Sequence, residues 1–333
     1  MTDAGESDVD VPGELRGDAA PNSDGVRIVD LMLEIRDMPE RRTQIDLDCL
    51  ERTTVVFHRN YIQLKKFLDI CETDPENQDL WHMHSARKQE EFANETWRLL
   101  HNFVAAAFTA VEHTRILYRR LNAEGEFPEY QARIDASFKT NRLAQFVQGL
   151  RNYVLHQGGG ELYFTGKIDV KTGRADVRLT LKTTTLLRWD GWNRHAKRYL
   201  ADSGDSVHIA SLARDYHDSV KDFQIWFGGR QREVRRAELD RVREKEMEYW
   251  ALELNTRLSG FENRTSEAGM GETGLFIGLF DYSDYRELER LPRGSEERVE
   301  CALGKLRERF PVPTNIEARI RGVYHSTTFL PAE

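Results

Sequence analysis

The chain has 333 residues, of which 39% are hydrophobic and 31% charged, which is enough apolar material for one large globular domain or two ordinary ones. Its mean hydropathy of -0.64 argues against a membrane span, and no apolar run approaches the roughly 20 residues that a span needs. The three cysteines lie far apart and fit neither a disulfide framework nor a zinc site, so we expect a cytoplasmic protein.

The formal net charge of -8 is concentrated at the start of the chain. Seven acidic residues against one arginine give residues 1–25 a charge of -6, which leaves -2 for the other 308 residues. This segment is rich in Asp, Gly, Pro and Ser, so we expect a disordered acidic tail without a secretory signal. The acidity of the whole chain therefore neither favours nor excludes an RNA partner.

Apolar residues at helical spacing predict a series of helices in the first half of the chain. These helices cover residues 28–38 up to Pro39, then about 45–70, about 92–121, and a helix pair over about 130–156. Turn signals at Asp74-Pro75, and Gly125 followed by Pro128, separate them.

The hydrophobic period then changes. Residues 162–165 and 175–187 are rich in β-branched and aromatic side chains and predict a β-hairpin around 161–188. Helices are predicted again from Arg194, over 209–227 and, after a break or kink at Gly228-Gly229, over 230–254. We interpret this last, highly charged helix as solvated and stabilised by internal ion pairs, the alternative being an RNA-facing stripe.

The C-terminal residues differ in composition from the rest. The first part of this region is rich in glycine. A helix is predicted over 295–310 and a final strand over 317–324. We therefore divide the chain into a tail (1–25), a helical domain with the hairpin (26–258), and a small C-terminal α+β region of unknown role (259–333).

One hexapeptide carries the chemistry. Residues 151–156 read RNYVLH and close a predicted helix that stops at three glycines. A guanidinium holds a phosphate by two parallel hydrogen bonds, an imidazole exchanges protons near neutral pH, and an amide orients either group. On a helix, Asn152 and His156 share the polar side, while Arg151 lies roughly 140° from His156. We expect Gly149, in the same polar stripe, to let another backbone approach, as at a two-fold axis.

Residues 148–156, QGLRNYVLH, resemble the signature of the HEPN superfamily, in which an arginine and a polar residue precede a histidine by a short spacer. The preceding amphipathic helix, with the polar candidates Asn102, Glu112, His113 and Arg115, is also similar to the family's arrangement. Over residues 45 to about 227, the resemblance implies a mainly α fold, an HEPN-like antiparallel helical bundle into which the β-hairpin is inserted.

The resemblance further implies a metal-independent endoribonuclease that needs no cofactor. His156 would activate the ribose 2′-hydroxyl, Arg151 would bind the scissile phosphate, and Asn152 would fix their geometry, giving a 2′,3′-cyclic phosphate. Two protomers would build the cleft, so RNA and a second copy of the chain are the expected partners. The resemblance also implies a role in a toxin, stress or anti-phage system, with an antitoxin or a defence protein as a further partner.

Structural alternatives stay open at this stage. The same loose spacing occurs between Arg52 and His58 and between Arg319 and His325, but no polar residue follows either arginine. Arg151 could pair with Glu112, and a histidine at a helix end can cap the last carbonyls. An HEPN-like bundle can also act as a non-catalytic dimerisation or binding module.

Other candidate sites have fewer supporting features. His82 and His84, near Glu90 and Glu91, are a possible metal set without a predicted scaffold. The glycine-rich stretch 269–274 lacks the Lys-Ser/Thr pair of a phosphate loop. We interpret the tryptophans as core or interface anchors, and the sequence shows no helix-turn-helix with a basic recognition face.

Overall fold

A computed structural model describes residues 23–73, 86–122, 127–157, 162–168, 175–264, 276, 278–310 and 312–325. The described chain is mainly helical and contains a three-stranded antiparallel sheet, which confirms the mainly α class. The predicted tail up to residue 22, the turn signals at 74–75 and 125, His82 and His84, the three glycines at 158–160 and the stretch 269–274 lie outside these residues.

The helices and strands are numbered in chain order. In the first half they are α1 (Ser23–Asp37), α2 (Pro39–Thr73), α3 (Ala86–Leu121), α4 (Glu129–Ile134), a π-helical turn (Asp135–Lys139), α5 (Arg142–Gln157), β1 (Leu162–Ile168) and β2 (Ala175–Lys182). They continue with α6 (Thr183–Leu186), α7 (Arg194–Asp202), β3 (Ser206–His208), α8 (Ile209–Val234), α9 (Arg236–Arg264), α10 (Tyr282–Glu289), α11 (Glu296–Arg309) and α12 (Thr314–His325).

Two compact units divide the chain. One is Arg42–Leu239, and the other combines Met1–Arg41 with Asp240–Glu333. The assignment of residues 26–258 to one domain stays a prediction. The unit formed by Arg42–Leu239 contains the candidate site, and its core is a continuous cluster of apolar side chains from α2, α3, α5, α7, α8 and the sheet. Its largest fully buried members are Phe57, Phe103, Phe127, Phe146, Phe223 and Phe227.

The predicted hairpin is confirmed. β1 pairs with β2 in antiparallel register from Leu162↔Leu181 to Ile168↔Ala175, and β2 also pairs with the short β3, which the sequence did not predict. The second strand ends earlier than the predicted residue 187, because Thr183 begins a helical turn. There the Thr183 backbone N–H donates to the carbonyl of Asp205 and its hydroxyl donates to that of Gly204.

The predicted break at Gly228-Gly229 is wrong, since α8 continues to Val234. Its buried face continues through the glycines, from Phe223 and Phe227 to Gln231. Burial of that face outweighs the helix penalty of about 1 kcal/mol per glycine.

The predicted final strand and the α+β character of the C-terminal region are also wrong. The described residues from 278 onward contain helices and turns, and α12 covers the segment that was expected to be extended. Ile316, Ile320 and Val323 are buried at helical spacing in a core shared with α10 and α11. Tertiary packing thus overrides the β preference of the branched side chains.

The highly charged helix α9 forms ion pairs with a neighbouring segment as well as internal ones. Arg241 Nε lies 2.8 Å from a carboxylate oxygen of Glu40, and Lys245 Nζ lies 3.0 Å from one of Glu34. Glu248 also accepts from Arg27. These pairs join α9 to α1 and the start of α2 within one unit, so much of its charge has intramolecular partners.

Candidate functional site

Helix α5 positions all three predicted catalytic residues. Its start is capped by Asn141, whose side-chain oxygen accepts from the backbone N–H of Ala144 at 3.1 Å. Ala144, Phe146, Val147, Leu150 and Tyr153 form its buried face. The helix therefore presents its other side chains at the surface: Arg151 is half-buried, and Asn152 and His156 are exposed.

Gly149 accommodates an aromatic ring of the same chain. A Cβ at this position would lie 2.7 Å from Cε3 of Trp192, closer than carbon atoms can pack. That ring stacks on Phe146 and Tyr153, and its indole N–H donates to the carbonyl of Leu186 at 2.7 Å. The expectation that another backbone approaches Gly149 is therefore wrong, because Trp192 occupies this space.

Arg151 lies against α3. The carbon of its guanidinium is 4.2 Å from the ring centroid of Phe108, a cation–π contact, and Nη1 is 3.3 Å from Oδ1 of Asn152. Asn152 therefore accepts a hydrogen bond from the guanidinium, and its role in catalysis stays a prediction. The alternative ion pair with Glu112 is not formed, because that carboxylate binds Arg115 on the same helix.

An open cleft extends from Arg151 between α3, α4, the π-helical turn and α5. It consists of two adjoining hollows that share Glu112, Arg115 and Gln145. The first hollow is mainly apolar and includes Arg151, and the second is polar. The charged and aromatic side chains that line the second hollow are Glu112, Arg115, Tyr118, Arg119, Tyr130, Asp135 and Lys139.

The π-helical turn shapes the wall of this cleft. The wider turn places Phe138 in the first hollow and Asp135 and Lys139 in the second. Gln145 ties the turn to its surroundings, because its amide donates to the carbonyl of Phe138 at 2.9 Å and accepts from Asn193 at 2.6 Å. Such turns occur frequently at functional sites, because they displace side chains from the regular helical positions.

His156 does not line this cleft. Its ring is exposed in the last turn of α5, and among the described residues it has no side-chain hydrogen bond, so it does not cap the helix end. Within a single chain, Arg151 and Asn152 are brought together, and His156 lies on a different side of the helix, as the angle of roughly 140° requires.

The other arginine–histidine spacings have structural surroundings. Arg52 donates to Sγ of Cys49 at 3.1 Å, and Arg319 bonds to Asn255 and to the hydroxyl of Ser259. Arg319 also lies on α12, where a strand was expected. Neither arginine lines the two hollows near α5.

A chain of hydrogen-bonded histidines between α2 and α8 was not predicted from the sequence. His58 Nδ1 lies 3.0 Å from Nε2 of His217, whose Nδ1 lies 3.0 Å from a carboxylate oxygen of Asp218. His217 is buried and stacks on Tyr61 with ring centroids 3.9 Å apart. Burial lowers the pKa of His217, and the neighbouring Asp218 opposes this only in part.

No protein-family model matches the sequence, and comparisons with curated proteins and with solved structures find no similar protein. Within the described residues, no helix combines the length and apolar content needed to cross a membrane. These residues also contain no group of three or more His, Cys, Asp or Glu side chains arranged to hold a metal ion.

Proposed function

We propose that the chain is a metal-independent endoribonuclease of the HEPN type. The observation that carries the proposal is the state of Arg151: its guanidinium lines a small hollow, held by Phe108 and Asn152, and no carboxylate of the described residues forms an ion pair with it. An exposed histidine, His156, follows on the same helix. A phosphate-binding cation and a proton-accepting ring are the groups that this reaction needs.

In the proposed reaction, the ribose 2′-oxygen attacks the adjacent phosphorus while His156 takes its proton. The bond from phosphorus to the 5′-oxygen breaks, which leaves a 2′,3′-cyclic phosphate and a 5′-hydroxyl. Arg151 stabilises the charge that develops on the phosphoryl oxygens. No atom changes its oxidation state in this reaction. The proton that His156 has taken passes to the 5′-oxygen as it leaves.

A second copy of the chain completes the site in this proposal. Arg151 and His156 lie on different sides of α5, so a two-fold arrangement in which the Arg151 of one copy faces the His156 of the other supplies both groups to one groove. RNA and a homodimer are therefore the proposed partners. A role in toxin, stress or anti-phage systems, with an antitoxin or defence protein, belongs to the same proposal.

The alternative function is a non-catalytic dimerisation or binding module. The contact that favours it is the stacking of Arg151 on Phe108, since a guanidinium packed on a ring also serves as a structural anchor. In that case the polar surface of α5 recognises a partner without cutting it.

Incubation of the full chain with total RNA in excess EDTA separates the two functions. We expect cleavage that continues under chelation and leaves 2′,3′-cyclic phosphate ends. Arg151→Ala and His156→Ala should each lower the rate by about 10²-fold or more. Arg142→Ala on the same helix and His195→Ala on α7 are matched controls and should retain activity. RNA that stays intact at micromolar protein supports the binding module.

A further inference from the structure

The second hollow carries more positive than negative charge. Together, the two hollows are lined by Arg115, Arg119, Lys139 and Arg151 against only two carboxylates, Glu112 and Asp135. The chain as a whole is acidic, with a formal charge of -8. A local cationic excess on an acidic protein attracts an anion to this cleft.

Tyr130 lines the same hollow and has a buried hydroxyl that makes no hydrogen bond to the described residues. Tyr130 is 4% exposed, and its hydroxyl oxygen is buried without a partner among the described residues. Tyr130 lines this hollow together with the charged side chains of Arg115, Glu112 and Arg119. A buried polar group without a hydrogen bond costs about 1–3 kcal/mol, and a native structure retains such a group for a reason.

The chemistry of this hydroxyl selects an acceptor. Burial raises the pKa of Tyr130 to about 12, so the phenol stays protonated at neutral pH and donates its proton in a hydrogen bond. Its ring is held in place by stacking on Tyr118, with centroids 3.7 Å apart. The missing partner is therefore an oxygen that accepts hydrogen bonds.

Arg115 already forms an ion pair with the carboxylate of Glu112. The two side chains are one helical turn apart, while Arg119 makes a long hydrogen bond of 3.4 Å from its Nε to the carbonyl of Arg115 and no other side-chain hydrogen bond to the described residues. Lys139 is likewise held only loosely, 3.5 Å from Asp135. An oxyanion that enters the hollow can take the place of the Glu112 carboxylate on Arg115.

We propose that this hollow binds a phosphoryl group, held by Arg115, Arg119 and Lys139 and by a hydrogen bond donated from the hydroxyl of Tyr130. The ligand is a phosphate monoester or the phosphodiester of a strand. Tetrahedral phosphoryl groups offer several acceptor oxygens, which suits a hollow lined by two arginines, a lysine and a tyrosine. The inference does not depend on the proposed cleavage, because it involves neither His156 nor any chemical step.

Calorimetric titration of the full chain with inorganic phosphate tests the inference. We expect saturable binding that weakens about tenfold in Tyr130→Phe and in Arg115→Gln, and that strengthens several-fold in Glu112→Gln, which removes the competing carboxylate. Tyr130→Phe is the sharpest variant, because removal of an unsatisfied hydroxyl should leave the melting temperature equal or higher. Arg133→Gln, which removes one positive charge from α4 outside the cleft, should leave the affinity unchanged.

Two further ligands identify the source of the phosphoryl group. If the ligand is a small monoester, a nucleoside 5′-monophosphate competes with phosphate and a 2′-O-methyl oligonucleotide without terminal phosphates does not. If it is part of a strand, the oligonucleotide binds more tightly and displaces phosphate. No saturable binding to the wild-type chain, or equal affinities in wild type, Tyr130→Phe and Arg115→Gln, would overturn the inference. RNA cleavage without phosphate binding overturns the phosphoryl site and leaves the proposed nuclease function intact. Phosphate binding without RNA cleavage supports the phosphoryl site and contradicts the nuclease function.

Discussion

The close approach of the Trp192 ring to α5 leaves room only for glycine at position 149. The indole is fixed by its hydrogen bond to Leu186 and by stacking on Phe146 and Tyr153, so it is not free to retreat. An ordinary glycine in a helix costs about 1 kcal/mol relative to alanine. At this position the glycine avoids a larger steric cost, because any Cβ would overlap the ring.

We therefore expect Gly149→Ala to destabilise the protein by about 1–3 kcal/mol, despite the better helix propensity of alanine. Gly229→Ala on α8 is the matched control, because no heavy atom lies within 4 Å of its added Cβ. That substitution should be neutral or stabilise by up to about 1 kcal/mol. The free energy of unfolding in urea measures both, and a stabilising Gly149→Ala would contradict the packing described for Trp192.

Some residue positions on α5 could be predicted from the sequence and others could not. The helical period placed Leu150 in the core and Asn152 with His156 on the exposed side, since local spacing determines both. The contact of Arg151 with Phe108 and the space filled by Trp192 could not be predicted. Each joins residues more than 40 positions apart, and no local pattern encodes such packing.

At the scale of elements, the chain from His58 through His217 to Asp218 links α2 to α8. When Nδ1–H of His217 donates to the Asp218 carboxylate, the Nε2 of the neutral ring is the acceptor that faces Nδ1 of His58. Protonation of His217 puts an N–H at this Nε2, so the bond to His58 persists only when Nδ1 of His58 is the acceptor. Lys221 also opposes a positive charge on this ring.

Because burial lowers the pKa of His217 in the folded chain, the unfolded chain binds more protons below about pH 6.5. The contribution of His217 to the free energy of unfolding is therefore complete above that pH and is lost as the pH falls below it. The loss is about 1.4 kcal/mol for each unit by which folding lowers the pKa of His217. We expect the free energy of unfolding to fall more in wild type than in His217→Phe between about pH 7.5 and about pH 5.5. An equal fall in the two proteins would show that His217 does not couple the helices to pH.

Element types were easier to predict than element limits. The long amphipathic helices and the hairpin were identified correctly because each has an apolar face of one clear period. The π-helical turn was missed, since Asp135 and its neighbours have no distinctive local pattern. The segment of α12 was assigned wrongly because its β-branched residues favour a strand, and only its burial against α10 and α11 makes it a helix.

At the scale of the whole molecule, two separate apolar clusters support the two units. One is built from α2 to α8, and the other contains Leu254, Leu303, Ile320 and their neighbours. Composition indicated that the chain could hold two domains, yet it could not show that residues at both ends of the chain join one unit. Contacts such as the ion pair between Arg27 and Glu248, which lie 221 positions apart, link the two ends within this unit, and no local pattern indicates them.

The proposed nuclease site also belongs to this scale, because one chain directs Arg151 and His156 to different sides of α5. Its most direct test mixes two inactive proteins, Arg151→Ala and His156→Ala, after joint unfolding and refolding. If each site combines the arginine of one copy with the histidine of the other, half of the dimers are mixed and each has one intact site. The mixture should then cleave RNA at about a quarter of the wild-type rate. A mixture as inactive as its two components would contradict a site shared between two copies.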